Sequence, residues 1–428
     1  MRLTKSIPAG LVDAAAAALA TFGTGVYAAN YFDPETGELG VYALFFAIFL
    51  VAAIVPYKLA FLPGEVRLLS LPPSEQLGGF RLTLPTGVPV AMVGGLVVLL
   101  AWIPASDAEL SLVVPLAITT VITGILSPIQ DHVRRVMHQA GQSWLAAGTS
   151  LVQVTVAAIT ITLGIVVGID KAWIPFGALV MANTFSIGIG LLMANRRATP
   201  ARGEPYVLGD LARSGRWLTG FGLLPVGSAF IAAAIVDVTA GSDFLGFAEA
   251  ARVAGRPLLV FVTGVSAVLN PRSLVAGRDR DKPAGDRLAR IGHLLVLGPG
   301  LLFLVWLGVD WAGNPMAWLV ENAYTVEFLT LVTIVSNILW GLLFAEESQL
   351  IGGNREIDIF KIYLFGAAAQ IGIAFTAIWT ESFAIPLAHI GFGLARWIGY
   401  RWALRRLYGG DDGGGQETKE LDPTLPAG

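Results

Sequence analysis

A chain of 428 residues with 55% hydrophobic and only 14% charged side chains is too apolar for a soluble protein, where about 25% of residues are charged, and is read as an integral membrane protein. Cysteine is absent, and the four histidines (His132, His138, His293 and His389) keep no ligand spacing such as HExxH, so disulfides, thiolate chemistry and a bound metal or cofactor are not expected. The net charge of −3 says nothing about partners, because a membrane protein partitions charge by side, and no basic patch interleaved with aromatics points to nucleic acid.

About twenty apolar residues at 1.5 Å each cross a hydrocarbon core roughly 30 Å thick. Stretches of that length fall near 9–30, 40–61, 85–104, 109–129, 143–168, 173–195, 217–240, 243–269, 291–311, 325–345, 360–379 and 383–403. They predict an all-α polytopic fold of about twelve transmembrane helices, since the alternating ten-residue pattern of a barrel is missing.

The first segment has the basic start and VYAA end of a signal peptide, but its length, Pro8 and Asp13 favour a retained helix. Asp13 lies among alanines one to two turns from the inner surface. It is either a cavity residue or proton or sodium ligand, or a side chain snorkelling to interfacial water. The second helix opens on Leu39-Gly40 after an acidic loop, DPETGE. The fourth closes on QDHVRR (Gln130–Arg135), read as an anchor at anionic lipids, with an inner gate as the alternative. Gln153 and Asn183 are expected to make interhelical hydrogen bonds.

A basic linker, 196–216, then separates two lobes of six helices, 1–195 and 217–407. Asp237 sits near the outer end of the seventh helix. In the tenth, Glu327 reads as interfacial and Asn337 as an interhelical donor. The tail 408–428 is Gly-rich and acidic, with too little apolar content to fold, and is expected to be a disordered cytoplasmic end.

Basic residues test the helix count. With the N-terminus cytoplasmic, all of the 28 Lys and Arg except Arg252, Arg256 and Lys171 fall on inner loops and inner helix ends. That alternation supports a cytoplasmic-membrane protein with both termini inside. A weak repeat supports two pseudo-symmetric halves around a cleft: Leu245-Gly246 opens the eighth helix as Leu39-Gly40 opens the second, 206 residues earlier.

The eighth helix carries the most informative side chains. At 100° per residue, Glu249, Arg252 and Arg256 lie within about 60° of one another, with Thr263 on the same stripe. A charge at mid-membrane costs about 2.5–3.5 kcal/mol, so such residues pair or face a watery cavity. Glu249 is placed to pair with Arg252, and Pro257 frees the Val253 carbonyl and predicts a bend. An internal ion pair that only orients the helix is one reading. A cavity for an anionic headgroup is the other, because two guanidiniums and one carboxylate leave a positive charge. No Ser/His/Asp set, no GxxxxGK[ST] and no catalytic Asp pair appears, so an enzyme is not expected, and uphill movement would draw on an ion gradient (with H+ or Na+ as candidate partner), the membrane potential or substrate consumption on the far side.

The run SDFLGFAEAARVAGRPLLVFVTGVSAVLNPRS (Ser242–Ser273), the preceding Asp237 and GELGVYALFFAIFLV (Gly37–Val51) resemble the multidrug/oligosaccharidyl-lipid/polysaccharide (MOP) exporter superfamily, in particular its polysaccharide flippase branch. This sequence departs from the commoner pattern in lacking an intramembrane Arg on the second helix and in carrying FLPGEVRLLSLPP in place of a polar turn. The resemblance implies two six-helix lobes opening alternately to each side. It also implies translocation of a polyprenyl-diphosphate-linked oligosaccharide, with membrane lipids and polysaccharide assembly proteins as partners. Arg252 and Arg256 would then attract the diphosphate, and Glu249 and Asp13 would tune cavity charge or couple a cation. The alternatives are a cation-coupled drug exporter of the same superfamily, which would need an acidic cavity for cationic drugs, and a polysaccharide polymerase or ligase, which would need a large outer loop. A major-facilitator transporter shares the helix count but normally carries a Gly/Asp/Arg-rich motif that Pro63–Leu84 lacks.

Overall fold

The computed structural model describes residues 3–308, 311 and 314–409. Among the described residues twelve long helices follow one another: α1 (Leu3–Tyr31), α2 (Glu38–Leu68), α3 (Leu77–Trp102), α4 (Leu110–Gln139), α5 (Ser143–Val167) and α6 (Lys171–Arg197). The second half contributes α7 (Leu208–Thr239), α8 (Ser242–Arg278), α9 (Lys282–Gly308), α10 (Leu329–Gly352), α11 (Glu356–Ala374) and α12 (Ala384–Gly409). Among the described residues 10 helices are long and apolar enough to cross a membrane, and bent α8 makes up to 11. The remaining helix, α12, is 26 residues long but diluted by Arg396, Arg401, Arg405 and Arg406.

Contacts repeat between the halves. The pairs α1–α5, α5–α6, α2–α4, α4–α6 and α3–α4 recur as α7–α11, α11–α12, α8–α10, α10–α12 and α9–α10. This is a parallel repeat of two six-helix lobes around a central cleft. The lobes meet where α2 touches α7 and α8, and where α1 touches α8. The most apolar stretch of α2 is 67% buried, against 17% for α9, which separates a seam helix from a peripheral, lipid-facing one.

The internal repeat has a direct structural counterpart. A Cβ on Gly40 would lie 1.9 Å from the Ser242 carbonyl oxygen, and one on Gly246 would lie 3.3 Å from the Gly40 nitrogen. The two equivalent positions therefore meet across the pseudo-twofold axis, and backbones approach that closely only without side chains. The same acidic end is tied further by the segment before α10. Asn30 donates to the Leu319 carbonyl at 2.9 Å, the Glu321 amide to the Ala29 carbonyl at 3.2 Å, and the Tyr324 hydroxyl to the Phe32 carbonyl at 3.2 Å.

Three details differ from the expectations above. The 50° bend in α8 falls between Ser266 and Val268, not at Pro257. Its cause is Pro271, whose ring collides with the carbonyl four residues back. The connection between halves is 198–207 rather than 196–216, because α7 starts at Leu208 and buries Leu211. That connection is docked: the Tyr206 amide donates to the Leu82 carbonyl at 2.9 Å, Thr86 donates to the Tyr206 carbonyl, and the Arg67 guanidinium lies 5.5 Å over the Tyr206 ring. Of the expected tail, 410–428 lies outside the described residues.

The third difference lies within QDHVRR, where His132 and Arg134 turn into the protein while Arg135 stays exposed, 4.4 Å over the Tyr57 ring. His132 is fully buried, stacked on Phe61 at 4.7 Å, with Nδ1 3.0 Å from Glu65 Oε1 and Nε2 2.8 Å from Thr83 Oγ1. The order hydroxyl–imidazole–carboxylate suggests a catalytic relay, yet Thr83, His132 and Glu65 are 1%, 0% and 2% exposed, so no reactant reaches them. Their role is to join α2, α3 and α4. Replacing His132 by Ala strands a buried carboxylate and is expected to cost about 3 kcal/mol, read as a lowered melting temperature in detergent, with Glu65→Gln recovering part of the loss in the double variant.

Candidate functional site

A cavity of about 440 Å3 lies in the cleft between the lobes, walled by α1, α2, α7, α8, α10 and α12. Most of its surface is Ala, Leu, Val and Pro, so the charged stripe of α8 stands out against it. Glu249, Arg252, Arg256 and Thr263 all line this space. A 3.6-residue period and one continuous helix from Ser242 to Ser266 are enough to bring them to one wall.

The two arginines are held differently. Arg252 Nε donates to Glu249 Oε2 at 2.6 Å and its terminal nitrogen donates to the other carboxylate oxygen, a bidentate pair. Glu249 is 4% exposed at its side chain and Arg252 25%. Arg256 donates to the Thr21 backbone carbonyl at 3.1 Å and, among the described residues, has no carboxylate within ion-pairing distance. Both guanidiniums lie over one ring, Phe46 of α2, at 4.5 and 4.8 Å. Such a contact supplies about 0.5–2 kcal/mol each. That falls short of the mid-membrane cost of a charge, so Arg252 is compensated by its carboxylate while Arg256 keeps an uncancelled charge. Glu249 is the only carboxylate among the cavity-lining residues, against two guanidiniums.

Polar groups of the second lobe face the same space. Asn337, Thr333 and Ser336 come from α10 and His389 from α12. Asn337 donates to the Gly255 carbonyl at 3.1 Å, the interhelical bond expected of it, while still lining the cavity.

Asp13 is elsewhere. Its carboxylate accepts from Ser150 at 2.5 Å and Arg134 at 3.1 Å, and lies 2.9 Å from His138 Nε2. It is absent from the cavity wall and ties α1 to α4 and α5. Arg134 also pairs with Asp131 at 2.6 Å. Gln153 and Asn183 join a neighbouring network, with Gln153 donating to Asn183 at 2.7 Å and Asn183 to Ser127 at 2.9 Å. Asp237 is buried and accepts from Ser242 at 2.8 Å, and Glu327 is exposed just before α10. Sequence reasoning did not single out Phe46, Thr21 or His389. Phe46 is one of several aromatics in an apolar run, and Thr21 contributes only its backbone, which leaves no sequence signal. His389 was legible as a lone histidine inside a span.

Neither a family model nor a curated protein matches the sequence. Solved structures do. An inward-facing MATE family multidrug resistance transporter of the MOP superfamily superposes with a TM-score of 0.73 at 13% identity, covering 92% of this chain and 95% of that one. An outward-facing MATE family transporter gives 0.65 at 12% identity, covering 95% of each chain. A MOP superfamily transporter from Pyrococcus furiosus, for which reverse polarity of the binding pocket suggests a different function, gives 0.61 at 13% identity, covering 94% of this chain and 95% of that one. The fold of this chain is therefore that of the MATE transporters.

Proposed function

We propose that the chain is a membrane transporter of the MOP type that moves an anionic amphiphile through the central cleft by alternating access. The observation that carries this reading is Arg256: a cation facing an apolar cavity with no carboxylate of its own among the described residues. An apolar pocket with a few converging polar groups suits a drug-sized ligand, and about 440 Å3 lies within the usual range of such sites. The structural neighbours thus fit a small-molecule exporter better than the lipid-linked oligosaccharide flippase expected from the sequence. The cavity's sign, however, argues for anions over cationic drugs.

The close α2–α8 approach at the acidic end and the higher TM-score against the inward-facing neighbour support an inward-open state, with the basic ends of the helices in the cytoplasm. In this reading the cluster of Asp13, Arg134 and His138 inside the first lobe is where a coupling cation would act.

One feature favours a second reading. Two guanidiniums one turn apart on Phe46 suit a diphosphate, so a polyprenyl-diphosphate sugar remains the alternative cargo. Proteoliposomes distinguish these. A fluorescent anionic amphiphile is expected to be transported and a cationic dye of equal size refused. The opposite preference would sink the anion reading. Competition only by a short-chain polyprenyl diphosphate would select the flippase.

A further inference from the structure

We propose that a groove between α10 and α12, outside the transport cavity, binds one anionic phospholipid, with an acyl chain in the groove and the headgroup at Arg401. The groove has a volume of about 280 Å3 and is lined by Leu339, Leu342 and Leu343 of α10 and by Gly393, Leu394 and Trp397 of α12. No polar side chain lines it. Gly393 contributes no side chain, and a Cβ placed there would already touch Leu339 at 3.4 Å. An apolar channel of this kind on the outside of a membrane helix pair accepts an alkyl chain.

The charge at its end selects the headgroup. The guanidinium of Arg401 lies 3.9 Å over the ring of Trp397, the residue that closes the groove. Arg401 is exposed and has no ion pair among the described residues. Glu346 of α10 pairs with His293 of α9 at 2.7 Å and not with Arg401. Arg405 follows one turn later on the same face and is exposed as well. Along one stripe of α12 the order is therefore Gly393 and Leu394, Trp397, Arg401, Arg405: apolar channel, aromatic boundary, then two cations. That is the order of tail, interface and anionic headgroup in a leaflet. A zwitterionic headgroup gains nothing net from two cations, whereas an anionic one gains about five-fold in binding for each Lys or Arg at the surface.

Trp397 supplies the readout. The full chain is reconstituted in phosphatidylcholine bilayers that contain either brominated phosphatidylglycerol or brominated phosphatidylcholine. Quenching of Trp397 is taken as the difference from a Trp397→Phe variant. Half-quenching is expected at an at least five-fold lower fraction of the brominated anionic lipid. Arg401→Gln, a substitution at an exposed residue, is expected to cut the anionic preference about five-fold, and Arg401→Gln combined with Arg405→Gln to bring the two lipids level, both leaving acyl-chain quenching in place. Gly393→Leu fills the groove and is expected to abolish quenching by both; should it fail to fold, Arg401→Gln decides alone. Equal quenching by both lipids in the unaltered chain, or an anionic preference that survives Arg401→Gln combined with Arg405→Gln, overturns the proposal. So does loss of the preference in millimolar inorganic phosphate, which would mark a site for free anions rather than for lipid.

Discussion

Substituting Arg256 by Met is expected to weaken binding of the anionic substrate about 100-fold, roughly 3 kcal/mol, and to leave the protein at least as stable as before. Both halves of that result follow from how Arg256 is held. It stacks on Phe46 and donates to a neutral carbonyl, so its charge is a burden on the empty protein that a bound anion relieves. Glu249→Gln is the necessary contrast. It strands Arg252, whose bidentate partner is lost, and is expected to lower stability by about 3 kcal/mol while strengthening rather than weakening anion binding. Isothermal titration and thermal melting on the two variants separate the roles. If Arg256→Met binds the anion as the parent does, the charge in the cavity serves structure and the substrate assignment fails.

The second large effect is expected at Gly40. Valine there places a Cβ where the Ser242 carbonyl now lies 1.9 Å away, and wedges α2 from α8 at the acidic end. Overpacking of this kind costs about 1–3 kcal/mol or more in the closed arrangement and nothing once the helices part. In the proposed alternating-access reading the states differ by only a few kcal/mol, so the population moves toward opening at that end by up to about 100-fold. The natural absence of cysteine makes the measurement direct: a single Ala43→Cys in the cavity wall reports access from either side to a membrane-impermeant thiol reagent. Labelling from the acidic end should rise at least tenfold with Gly40→Val. An unchanged rate would mean that the α2–α8 crossing is not the closure.

Much of this architecture was legible before any coordinates. Hydropathy and the sidedness of Arg and Lys located the helices, and the Leu-Gly repeat found the two glycines that meet on the axis. Periodicity alone put Glu249, Arg252 and Arg256 on one wall. What escaped depends on contacts between distant segments. Asp13 finds its partners at Arg134, His138 and Ser150, more than 100 positions away, and no local pattern announces them. The Pro257 bend was expected from a sound rule applied at the wrong proline, since Pro271 dominates. QDHVRR reads as a lipid anchor because charge at a helix end usually meets headgroups; here Glu65 and Asp13 draw His132 and Arg134 inward and only Arg135 stays exposed.

The docked connector sets how the halves are geared. Tyr206 is fastened to α3 by its amide and carbonyl and to α2 through Arg67, which pins the ten residues between α6 and α7 to the first lobe. A change in how the two lobes sit would therefore have to break these contacts or be taken up in the backbone beyond Tyr206, since the connection has little length to spare.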